Sequence, residues 1–263
     1  MIFLLKKIKI GNRFERIWKI AQVDFKSRFY NDRLGLVWAL LNPILRMLIY
    51  FFIFTFVLKK VSDDIENYAV FLFAGLIFWM AFIEMLKKGM KTLFQKRYLI
   101  FNIKVNKEDL YISSSLSILI AFLFNIVAYL IMSFIFGTHF TAKILFLPIL
   151  ITNTFLLGSG IGMILSIIYV HVRDIGHIVD LLIKLGFWTS GIFFKPELIL
   201  EKAPILFYLN PFVGIIDNVR RVSLYNESPN IVTMNLNMII GIIVFMIGFN
   251  MITRFSQTAM EKL

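Results

Sequence analysis

Ionisable side chains inside apolar runs are the places where this sequence could do chemistry, because a charge costs most in a medium that cannot solvate it. Arg46 lies near the middle of the apolar run 35–58, with no acidic residue within one helical turn. Its guanidinium needs a polar cavity, a partner helix or an interface within snorkelling reach, and contact with an anionic substrate is one such use. Asp180 and Lys184 are four apart in the run 177–194, a spacing that lets them neutralise each other on one helix face. His139, His171 and His177 stand singly near run ends with no carboxylate cluster beside them, which points to interfacial positions and to no metal site. Cysteine is absent, so disulfides and thiolate metal ligands are excluded.

Catalytic signatures are missing in the same way. The chain has no Gly-x-x-x-x-Gly-Lys-Ser/Thr loop to cradle a phosphate and no Gly-x-Ser-x-Gly elbow to present a nucleophile. It is therefore expected to bind no cofactor and to hydrolyse no ATP by itself. A membrane-bound glycosyltransferase or polymerase should carry clustered acids on a loop. Here Glu197, Glu201, Asp217 and Glu227 are dispersed. Aromatic residues gather in 50–56, 71–82 and 187–194. Lipid contact and interfacial belting account for such residues. A channel lined by flat rings is the alternative: sugar rings have apolar C–H faces, and an aromatic wall lets a polymer slide.

The elements that must position these residues follow from hydropathy. Hydrophobic residues make up 59% of the 263-residue chain, above the roughly half of a soluble domain. They concentrate in runs near the 20 or so residues that cross a bilayer. Six spans are predicted: 35–58, 68–86, 110–136, 144–170, 177–194 and 231–253. The first follows a long charged segment without a small-residue cleavage site, so no removable signal peptide is expected. One membrane domain, 1–263, accounts for the length.

The net charge of +12 raises nucleic-acid binding as a possibility. The positions of the charges answer it. Of the 28 Lys and Arg residues, 19 fall on one side of the predicted spans and 7 on the other. That bias places both termini in the cytoplasm and leaves no basic soluble module for a nucleic acid. Two stretches are neither plain loops nor clean spans. Residues 12–31 set Phe14, Ile17, Trp18, Ala21 and Phe25 at helical spacing among basic residues, as an amphipathic helix would at the headgroups of an anionic leaflet. Residues 195–230 carry the helix breakers Pro196, Pro204 and Pro211, and their apolar run 205–213 is too short to span. Re-entrant half-helices or a folded extracytoplasmic loop would each fit. In the fourth span, Gly158 and Gly162 are four apart and form a small-residue face for a neighbouring helix.

An ordered set of short motifs completes the reading. Asp24-Phe25-Lys26-Ser27-Arg28-Phe29-Tyr30 precedes Leu34-Gly35-Leu36-Val37-Trp38-Ala39-Leu40-Leu41-Asn42-Pro43. Val172-Arg173-Asp174-Ile175 follows the fourth span, Phe187-Trp188-Thr189-Ser190-Gly191-Ile192-Phe193-Phe194 ends the fifth, and Tyr208-Leu209-Asn210-Pro211-Phe212 precedes the sixth. In order and spacing this set resembles the permease subunits of ABC-2 type exporters for O-antigen, capsule and teichoic acid. The resemblance implies an all-α integral membrane protein of the cytoplasmic (inner) membrane. It would have six transmembrane helices, an N-terminal amphipathic interface helix, and re-entrant gate helices at 195–230. It further implies a homodimer with a channel for lipid-linked polysaccharide, and two copies of an ABC ATPase that bind ATP and magnesium. A coupling helix would lie in 88–104, with Lys91, Phe94, Lys96, Arg97 and Tyr98 as contact candidates. Pro196, Asn210, Pro211 and Phe212 would belong to the gate. Arg46, Phe187, Trp188, Phe193 and Phe194 are the candidates for the substrate path. Gly191 stands where many relatives have Pro, and Arg46 where they have an apolar residue. A permease for drugs or small lipids is the nearest alternative.

Overall fold

The computed structural model describes residues 12–27, 33–35, 37–53, 56, 65, 67–99, 106–202 and 204–260. Arg28, Phe29, Tyr30, Leu36, Phe101, most of the 59–67 loop and the start of the 12–31 prediction's flank at Gly11 lie outside them. Among the described residues ten α-helices follow in order: α1 (Arg13–Ser27), α2 (Val37–Phe52), α3 (Tyr68–Gln95), α4 (Lys107–Ile135), α5 (Leu147–His171), α6 (Ile175–Thr189), α7 (Pro196–Lys202), α8 (Pro204–Leu209), α9 (Pro211–Ser223) and α10 (Ile231–Met260). A 3-10 turn, Ala142–Phe146, leads into α5, and no strand occurs among the described residues.

Four of these helices have the length and apolarity to cross a membrane: α3, α4, α5 with its 3-10 lead, and α10. The apolar helix α2 has 16 described residues, and the end of its predicted run lies largely outside the described ones; α6 has 15, shorter than the run that predicts it. For α6 the backbone gives the reason. At Gly191 φ is +71°, a left-handed conformation that stops the helix, and Ser190 turns its hydroxyl back to the Gly186 carbonyl. Phe193 and Phe194 thus leave the helix. A proline, with φ fixed near −65°, could not occupy position 191 in this form. The second span runs on to Gln95, so Lys87, Lys88 and Lys91 are helical and do not begin a loop.

Helix α3 is the centre of the bundle. Its first half is apolar all round, and residues 68–79 are buried without a break. It packs on α2, α4, α5 and α9, while α5 also packs on α10. Small residues set the crossings, as expected for helices in lipid. A Cβ on Gly89 would lie 2.9 Å from the Gly162 Cα, and one on Gly162 would lie 2.9 Å from the Met85 carbonyl oxygen. On the other face of α5, a Cβ on Gly248 would lie 2.6 Å from the Gly160 carbonyl oxygen. The expected small-residue face is therefore two faces, one toward α3 and one toward α10.

The amphipathic helix α1 has a protein partner for its apolar stripe. Ile17, Ile20, Ala21 and Phe25 are buried, and α1 packs along α4. Arg13 Nε donates to Asp109 Oδ1 at 2.8 Å and Arg16 donates to Oδ2 of the same fully buried carboxylate. At the far end Phe25 stacks on Phe124 with ring centres 5.8 Å apart. Phe14 and Trp18 are its exposed large apolar residues.

Candidate functional site

Sequence reasoning singled out residues in three places, and the fold keeps them as three neighbourhoods. The first is the exit of α6. Phe187 and Trp188 lie on its last turn, and Phe193 follows the Gly191 break. The Phe193 ring packs edge-on against Tyr50 of α2 at 5.3 Å and Phe187 at 5.1 Å, and stacks on Trp188 at 5.0 Å. Trp79 of α3 continues the cluster to Phe212, which lies 4.2 Å from the Phe82 ring. Aromatics of the first and fifth predicted spans and of the gate are thus brought together. Their exposure differs. Phe193 has no accessible surface and belongs to the core, whereas Trp188 is 54% exposed. The turn at Gly191 points Phe193 inward, so it backs the aromatic surface that Trp188 presents.

The segment 195–230 forms three short helices tied into the bundle. Pro196 opens α7, and Pro211 opens α9. Asn210 caps α9 by accepting the Phe212 N–H at 3.0 Å, and donates to the Ser190 hydroxyl at 2.9 Å. Asn237 of α10 donates to the Pro211 carbonyl at 3.1 Å. The tightest tie was not singled out from sequence. Arg220, on α9, is 1% exposed. Its guanidinium donates to the carbonyls of Phe71 (3.1 Å), Gly191 (2.6 Å) and Ile192 (2.8 Å), with Cζ 3.3 Å from the Phe71 ring centre. One side chain thus joins α9, α3 and the turn after α6. Burial lowers its proton affinity, and Tyr225 and Asp217 nearby oppose that effect. Burial also raises the pKa of the neighbouring Asp217 carboxyl, against the pull of Arg221. A signal was available: Phe212, Val213 and Ile216 precede Arg220 by eight, seven and four residues, on one helix face. Beside it lies a cavity of about 380 Å³ lined by charged residues including Lys195, Glu197, Asp217 and Arg221.

The second place is Arg46. It lines an open cleft of about 560 Å³ between α2, α3 and α4 with Glu84, Lys87, Lys88 and Lys91. Asp180 does not pair with Lys184 as its spacing predicted. Its carboxylate takes Lys87 across the helix contact at 2.6 Å, because the Lys87 ammonium reaches α6 from α3.

The third place is the end of α3. Phe94 lies between two guanidinium groups, Arg97 at 5.5 Å and Arg173 at 5.0 Å from its ring centre. The Val172-Arg173-Asp174 motif thus meets the predicted coupling segment. Lys91, Arg97 and Tyr98 are exposed. Lys96 differs: it is paired with Asp24 of α1 and holds that helix instead of standing free.

Comparison with known proteins decides what this arrangement belongs to. Residues 15–224 match the family model described as ABC-2 type transporter. The chain belongs to the ABC-2 type transporter family. This family member is 25% identical over 258 residues to the O-antigen export system permease protein RfbA of Klebsiella pneumoniae, covering 98% of each chain. It is 25% identical over 213 residues to the RfbA permease of Myxococcus xanthus, covering 80% of this chain and 81% of that one. It is also 23% identical over 227 residues to the polysialic acid transport protein KpsM of Escherichia coli, covering 86% and 87%. The first two of these relatives are named as export permeases.

Proposed function

We propose that this chain is the membrane subunit of an ATP-driven exporter that moves lipid-linked polysaccharide across the cytoplasmic membrane. The observation that carries it is the match to an O-antigen export permease along 98% of both chains. In this reading α2 and α6 complete a set of six spans. The positive charge bias sets both termini in the cytoplasm, and α7–α9 form the outer gate. Two copies of the chain enclose the path. The exposed faces of α2 (Leu45, Leu48, Ile49) and α6 (Leu181, Leu182, Leu185) support this, being apolar surfaces that need either lipid or a second copy. Trp188 and Phe187 offer the sugar chain an aromatic surface, backed by Phe193, while Phe194 lies beside it.

A separate ABC ATPase, present twice, binds ATP and magnesium and docks at the inner end of α3. Arg97 and Tyr98 are exposed there and Phe94 is wedged between arginines, so a push on this end is passed directly to the central helix. The test is to affinity-purify the chain from its host. An ATPase is expected with it, and Arg97→Glu combined with Tyr98→Ala should reduce the co-purified amount at least tenfold while the chain's own yield stays unchanged. Co-purification unaffected by the double variant would move the docking site elsewhere, and no ATPase at all would remove the power source from the proposal.

A further inference from the structure

The cleft at Arg46 has a composition that transport by aromatic contact does not use. On α3, Glu84, Lys87, Lys88, Lys91 and Gln95 all line it. Their spacing puts them on one face, over about 16 Å of helix. Arg46 faces them from α2, and Ile118 and Phe122 of α4 close the back. Four cations therefore share the cleft with one carboxylate of its own. Lys87 is compensated by Asp180, and Lys88 donates to the Ser117 hydroxyl at 3.4 Å. Arg46 and Lys91 form no ion pair with a described residue, and both are exposed to the cleft.

Like charges held this close at the edge of a low-dielectric region repel, and a bound anion relieves that repulsion. The apolar part of the cleft says what kind of anion. Met80, Ala81 and Ile83 line the end toward the membrane middle, and Lys91 and Gln95 line the other. Exposed Leu45 and Ile49 flank Arg46, so the opening is bordered by apolar surface. The volume falls within the range of small-molecule sites.

We propose that this cleft binds the phosphate or diphosphate headgroup of an anionic lipid, with Arg46 and Lys91 as its principal contacts and the acyl or prenyl tail along Ile83, Ile118 and Phe122. It rests on the orientation adopted above, which puts the charged end of the cleft at the inner leaflet. Two lipids share that chemistry: a resident phospholipid and the lipid that carries the exported polymer.

Native mass spectrometry of the purified full-length chain in neutral detergent tests the site and separates its sources. The probes are phosphatidylglycerol, a polyprenyl diphosphate, phosphatidylcholine and inorganic diphosphate. Both anionic lipids should bind, and Arg46→Gln with Lys91→Gln should weaken them about tenfold or more. Arg46→Lys should retain most binding, and Lys202→Gln, on the exposed far side of α7, should change nothing. Tighter binding of the polyprenyl diphosphate identifies the carrier as the occupant; equal binding identifies a resident phospholipid. Unchanged binding in the double variant, equal retention of phosphatidylcholine, or inorganic diphosphate binding as tightly as the lipids would overturn the proposal. The measurement uses no polymer export, so its failure leaves the exporter reading standing, and failure of export leaves the lipid site intact.

Discussion

A single arginine, outside every motif picked from the sequence, joins three segments of this molecule. Arg220 is buried among carbonyl oxygens, and its planar fork reaches three of them on two segments. A buried cation so placed is costly to remove, since the carbonyls lose charge-assisted donors. Arg220→Gln is expected to cost about 3 kcal/mol and to lower the temperature at which the detergent-solubilised chain loses its monodisperse gel-filtration peak. Arg220→Lys should recover less than half of the loss, because an ammonium cannot reproduce the fork. Equal stability of all three proteins would show that the guanidinium is not the clamp. Asn210 and Pro211 were singled out through their motif, and the structure adds that Asn210 caps the helix that Pro211 opens. Sequence alone did not reveal Arg220, whose carbonyl partners lie 28 to 149 residues away. The same distance problem hid the Lys87 partner of Asp180. The burial of Phe193 was hidden for a different reason: it follows from the left-handed turn at Gly191, which a run of apolar residues does not announce.

At the scale of the helices, hydropathy located the elements well and their ends less well. The runs 68–86, 110–136, 144–170 and 231–253 each lie within or nearly within an observed long helix. The predictions ended where charge began, yet α3 continues through Lys87, Lys88 and Lys91, because lysines on one face do not break a helix that leaves them at a polar cleft. The glycine pair of α5 was legible as a contact face, and the structure supplies its partners. Gly162→Leu should push α3 and α5 apart at Gly89 and Met85. Overpacking of that kind costs about 1–3 kcal/mol, read as a lower melting temperature and a lower yield of folded protein. Gly176→Ala serves as the control, because its Cβ would meet nothing nearer than 3.4 Å. A Gly162→Leu chain as stable as the wild type would mean that the two helices have room that the crossing does not show.

For the whole molecule, the central claim is that the chain exports a polysaccharide that another machinery makes. Charge bias, the absence of a phosphate loop and the family match along 15–224 all bear on it. Export and synthesis differ in where the polymer is when the protein is missing. The direct measurement is to delete this chain from its host and quantify the envelope polysaccharide on the cell surface and, in the same cells, the lipid-linked polymer on the inside. The account predicts that surface polymer falls at least tenfold, that lipid-linked polymer accumulates internally, and that the restored chain reverses both. Loss of polymer from both compartments would make the chain part of synthesis, and an unchanged surface with no internal accumulation would contradict export of polysaccharide altogether.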